Sequence, residues 1–137
     1  MATFTKFNCF TRDLGLGVHN LDTGALKIYL SNTAPDAAAD SVKADLAEIT
    51  NQNGYTAPVD VTGVWALSGS TGQLSGTDVT ITATGAVGPF QYVVLYNDTP
   101  TSPADPLIGW WDYGSAITMA NGETFVTDFG STIMTVG

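Results

Sequence analysis

Period-two alternation of apolar and polar residues dominates this chain. From Asp78 to Thr84, Val79, Ile81 and Ala83 share one parity and Thr80, Thr82 and Thr84 the other, the pattern of a strand with one face turned inward. Ala25 to Leu30 behaves alike, with Leu26, Ile28 and Leu30 alternating with Lys27 and Tyr29 after an Asp22-Thr23-Gly24 turn. Further strands are predicted over Val59 to Ser68, Phe90 to Asn97, Leu107 to Tyr113, Ala116 to Met119, Glu123 to Phe129 and Thr132 to Val136. Phe90 to Asn97 stands apart because both parities are largely apolar, which predicts a central strand covered on both sides. Asn97-Asp98-Thr99-Pro100 ends it through Asx and proline chemistry. Across a proline-rich loop, Leu107 to Tyr113 brings in the adjacent Trp110 and Trp111.

The connections carry weaker signals. Asn121-Gly122 in ITMANGETFV fits a two-residue type I′ turn and predicts a hairpin between its flanking strands, whereas Gly69 to Gly76 reads as a flexible loop. Phe4 to Phe10, with Phe4 and Phe10 on one parity and Phe7 on the other, reads as a short strand or an arm, lying on this domain or on a neighbouring subunit. Arg12 to Asn20, with Gly15 and Gly17, reads as a loop. Ser41 to Ile49 alone has helical spacing, through Val42, Leu46 and Ile49, with Asp40 or Ser41 as N-cap. The fold class expected is mainly β: an antiparallel β-sandwich or jelly-roll-like fold with one short helix, a closed barrel being the alternative. Residues 1–137 form a single domain, with 1–20 a candidate N-terminal arm.

Composition narrows the function classes. Hydrophobic residues make up 44% and charged ones 12%, so the surface is covered by Thr, Ser, Asn and Gly and suits contact with neighbours. A net charge of -9, from 13 acidic against 4 basic residues, argues against nucleic acid and against anionic membranes. Cys9 is the single cysteine, so no internal disulfide is expected and cytosolic synthesis fits. The opening MATFTKFNCFTRD lacks the apolar core of a secretory signal, and no run approaches the ~18 apolar residues of a membrane span.

Candidate chemistry is sparse. His19 has no second histidine and no Cys-x-x-Cys beside it for zinc, and no G-x-S-x-G supplies a nucleophile for it, so it reads as a loop or packing histidine. Cys9 reads as a small buried residue. Asp98, Asp105 and Asp112 could offer oxygens to calcium, but the EF-hand spacing is absent and aspartates in turns usually bond backbone. Glu48 and Glu123 suggest no glycosidase pair. No cofactor is expected. Trp65, Trp110, Trp111, Tyr113 and Tyr55 could form a sugar platform, except that consecutive strand residues face opposite ways, so Trp110 and Trp111 cannot both join it without a bulge. One of the pair is expected in the core, the other at a loop or partner.

Asn53-Gly54-Tyr55, YNDT at Tyr96 to Thr99, LIGWWDYG at Leu107 to Gly114 and NGETF at Asn121 to Phe125 resemble small structural proteins of tailed-bacteriophage head and tail modules. The opening FTKFNCFTRDLGLGVHNL and the following ALKIYLSNTAP are also similar to the start of such proteins. The resemblance implies a virion component assembled in the host cytoplasm, a non-enzymatic capsid decoration or cement protein. It would be a homo-oligomer, as a trimer, on the major capsid protein. The alternative is a tail or head-fibre module binding a host glycan, and a small hydrolase using His19 ranks last. Phe4, Phe7, Tyr55, Asp98, Asp105, Trp110, Trp111 and Tyr113 are the candidate contact residues.

Overall fold

A computed structural model describes residues 2–137 and shows a mainly β chain whose paired strands are all antiparallel, with one α-helix. The strands are β1 (Thr3–Lys6), β2 (Leu26–Ser31), β3 (Val59–Asp60), β4 (Gly63–Ser68), β5 (Thr71–Gly76), β6 (Val79–Thr82), β7 (Val87–Asn97), β8 (Leu107–Met119), β9 (Thr124–Thr127) and β10 (Met134–Val136). They form a five-stranded sheet in the order β1-β8-β7-β2-β3, a three-stranded sheet β10-β5-β4 and a pair β6-β9. The arrangement is sandwich-like. Leu26, Ile28 and Leu30 of β2, Val93 and Leu95 of β7, and Ile108 and Trp111 of β8 share one core with Leu74 of β5, Met134 of β10, and Val79 and Ile81 of β6.

β7 is the central strand that its two apolar parities predict. On its second face Val94 and Tyr96 join Tyr29 and Leu107 in a smaller core, covered by Phe7, Cys9 and Leu46. The two faces are kept in phase with β8 by a bulge. Leu95 pairs with Gly109 and Tyr96 with Leu107, leaving Ile108 as the extra residue, so that both Ile108 and Trp111 enter the larger core. Trp110 and Trp111 therefore point to opposite faces.

The helix lies elsewhere than expected. Asn8–Gly15 is α1, in the segment read as strand, arm and loop, while Ser41 to Ile49 holds only a 3-10 turn at Lys43–Asp45. α1 buries Phe10, Cys9 and Asp13 and ends in a Schellman motif: Gly17 N–H donates to Leu14 O at 3.2 Å and Val18 N–H to Asp13 O at 2.9 Å, with Gly17 at φ 75°. The 41–49 segment instead gives its backbone to neighbouring strands. Leu107 N–H donates to Ser41 O, Lys43 N–H to Asp105 O and Ile49 N–H to Leu30 O, at 2.9 to 3.0 Å. Those long-range bonds outweigh a helical spacing of three residues.

Three further expectations are corrected. Residues 71–76 are a strand and not a loop, because Gly72 leaves room for the indole of Trp65 and Gly76 for Val61, Ile133 and Phe129. The predicted strand from Val59 to Ser68 is divided between β3 and β4, which belong to different sheets. Asn121-Gly122 does form a turn, with Glu123 N–H donating to Ala120 O at 3.1 Å, but only Gly122 has positive φ, as a type II turn requires. β9 then leaves β8 and pairs with β6.

Candidate functional site

The eight residues expected at a contact surface are dispersed by the fold. Phe7 and Tyr55 are fully enclosed and Trp111 is 4% exposed, which removes them from any surface of the chain and corrects that expectation. Trp111 lies between Phe4 and Phe129, with ring centroids 4.8 and 5.2 Å away. Phe7 stacks at a tilt on half-buried Trp110 at 4.6 Å, on the opposite face. Tyr55 accepts a hydrogen bond at 2.9 Å from Leu30 N–H, and burial pushes its hydroxyl up to about 12. With Tyr55 and Trp111 interior and Trp110 turned away, the five aromatics make no platform.

Phe4 and Tyr113 remain half-buried. Tyr113 packs edge-on against Phe125 at 5.0 Å and, with Ala2, Thr3, Asp112 and Gly114, lines a cavity of about 410 Å³. Asp112 is committed there, accepting from Gln91 Nε2 at 3.0 Å and Gly114 N–H at 2.8 Å, bonds that hold its carboxyl below the usual range. Asp98 and Asp105 do meet, at the loop between β7 and β8. Partial burial, followed by a shared hydrogen bond with Asp98, raises the Asp105 carboxyl. Among the described residues no group of three or more His, Cys, Asp or Glu is placed to hold a metal ion, and the three aspartates do not converge. Lys43 sits near that loop, 5.1 Å from the Tyr29 ring and paired with Glu48 at 2.8 Å.

The most structured polar site lies around His19, which pattern alone left as a loop residue. The Schellman turn after α1 folds residues 17–20 back over β7, and His19 is buried against Phe10, ring centroids 5.2 Å apart. Asn97 at the end of β7 fixes its tautomer. Its Oδ1 accepts from Thr99 N–H at 3.1 Å, so its Nδ2 donates to His19 Nδ1 at 3.2 Å, and the ring proton resides on Nε2. Burial lowers the His19 pKa and so favours the neutral ring, an effect partly opposed by the charge of Asp13. Asp13 is itself buried, one oxygen accepting from Arg12 Nε at 2.8 Å. Neither His19 Nε2 nor Asp13 Oδ2 has a hydrogen-bond partner. Beside them Leu14, Gly17, His19, Asn20, Leu21 and Trp65 line a cavity of about 370 Å³. Asp13 and Asn97 carry no sequence signal for this role, since the first sits in a helix read as a loop and the second reads as a strand stop.

A third feature is an apolar edge. β4 borders its sheet on one side only, and it leaves Val64 52% and Leu67 74% exposed. Residues 61–77, which form the β4-β5 hairpin and its flanks, contain no Asp, Glu, Lys, Arg or His. Among the described residues no helix is long and apolar enough to cross a membrane. Comparison with known proteins identifies no relative of this chain: no family model, no curated protein and no solved structure matches it.

Proposed function

We propose that the chain is a non-enzymatic virion structural protein, a capsid decoration or cement protein that stabilises a phage head by associating with copies of itself, as a trimer, and with the major capsid protein. The observation that carries this reading is the β4 edge. A row of unpaired strand backbone, apolar side chains at Val64 and Leu67, and a hairpin without ionisable groups make a surface that another strand can complete. Most soluble proteins block such an edge with lysine, proline or a bulge. All 13 acidic residues lie outside residues 61–77, so a partner can approach there without setting carboxylates against each other, despite the net charge of -9. Several copies engaging one shell would multiply contacts that are individually weak. The resemblance to phage head and tail proteins points the same way. Mass spectrometry of purified virions, with image reconstruction to locate the copies, tests the reading; a mature particle lacking the protein overturns it.

A further inference from the structure

We propose that the cavity beside His19 is a binding site for a neutral sugar unit, a hexose or N-acetylhexosamine. Its walls combine two kinds of surface. Leu14, Leu21 and the indole of Trp65 supply an apolar side, and the indole is laid against β5 because Gly72 has no side chain to hold it off. Such a surface takes the C–H face of a pyranose ring. The polar side consists of donors. His19 lines the cavity and holds, just behind its surface, a buried and unpartnered Nε2–H, its tautomer fixed through Asn97. Asn20 has its side-chain oxygen occupied by Asp22 N–H and Thr23 N–H, both at 3.1 Å, which leaves its Nδ2 to donate.

Donors beside an aromatic wall, with no charged side chain lining the cavity, select a ligand that is neutral, rich in oxygen acceptors and apolar on one face. A buried donor without a partner is costly, so a ligand oxygen that satisfies Nε2–H gains more than an ordinary hydrogen bond does. About 370 Å³ accommodates one or two rings. Nε2 is itself buried behind the cavity wall, so a ligand oxygen reaches it only after a local shift of that wall, of which Gly17 is part. There is open space at the Cβ positions of Gly15 and Gly17, and Leu16 is 73% exposed, so little packing resists that shift. The site shares β4 with the proposed contact edge: Trp65 points to the face opposite Val64 and shares its own face with Leu67, so Val64 is the edge residue that separates the two roles.

Titration of the isotope-labelled chain with glucose, galactose, N-acetylglucosamine and N-acetylgalactosamine, each to about 50 mM, tests this, since a single sugar unit binds in the millimolar range. At least one should shift the Trp65 indole and His19 ring signals together and saturably. Trp65→Phe should retain that binding, and His19→Ala should weaken it about tenfold by removing the donor. The proposal is overturned if no sugar moves either signal, or if the shifts centre on Trp110 and Tyr113. A chain that binds sugar here yet is missing from virions would leave this site standing and remove the virion reading. Val64→Lys should alter association without changing the sugar titration.

Discussion

Two adjacent tryptophans in one strand should have very different energetic weight. Trp111 is 4% exposed in the main core between Phe4 and Phe129, whereas Trp110 is half-buried on the other face against Phe7. A buried tryptophan removes roughly 150–250 Å² from water, which at about 25 cal/mol per Å² is an upper bound of about 4–6 kcal/mol. Core aromatic-to-alanine substitutions cost about 3–5 kcal/mol, and the loss of two aromatic contacts places Trp111→Ala toward the top of that range. Trp110→Ala, with part of its ring already in water, should cost about 1–3 kcal/mol. Urea denaturation followed by far-UV circular dichroism reads the difference. With a slope of about 2 kcal/mol per M, Trp111→Ala should lower the midpoint by about 2–2.5 M, and Trp110→Ala by about 0.5–1.5 M. Equal shifts, or a larger one for Trp110→Ala, would refute the assignment of Trp111 to the central core.

Gly109→Ala sets a methyl group against the Phe4 ring and the Thr5 carbonyl, so β1 should lift from β8 at a cost of about 1–3 kcal/mol. Hydrogen exchange should speed up at residues 3–6, and equal acceleration along β7 would contradict this. His19, with a folded pKa below its ordinary 6.5, leaves the unfolded chain to take up the proton first as pH falls. Its contribution to stability is therefore complete above about pH 6.5 and declines as pH drops through the window down to the folded value. His19→Gln should flatten that part of the urea-midpoint profile, and an unchanged slope would assign it to other groups. Val64→Lys and Leu67→Lys should leave stability within about 0.5 kcal/mol, since both side chains face water, but should reduce self-association and shell binding. Sedimentation and capsid pull-down measure this, and undiminished association would acquit the β4 edge.

The strands were the most legible part of the sequence, because β7 buries both faces and is apolar at most positions, while VTITAT buries one face and is apolar at every second position. α1 was missed although its signal exists. Phe7, Phe10 and Leu14 follow a helical period, and Gly15 and Gly17 mark its end, but phenylalanines on both parities of so short a segment also fit a strand or arm covered on two sides. Residues 41–49 had the opposite fault, in that three correctly spaced apolar residues were captured by backbone partners on β2, β8 and the loop before β8. In β5 glycine was read as freedom when it serves packing, since the rings that need the space come from Trp65 across the β4-β5 hairpin and from Phe129, distant in sequence. The His19 site was illegible for a similar reason. Asp13, Asn97 and Trp65 are brought beside it only by the fold, and none of them forms a local motif with it.

The pairing of β1 with β8 has a temporal consequence. Thr3 lies opposite Asp112 and Lys6 opposite Gly109, so β1 leaves the ribosome well before the strand that completes it. Chain growth at about 5–20 residues per second then imposes a delay of several seconds. During it Phe4 and Phe7 have no sheet to join, while β2 likewise awaits β7. The five-stranded sheet therefore closes only after β8 has emerged, and until then β1 is the strand that most depends on protection from wrong partners during translation.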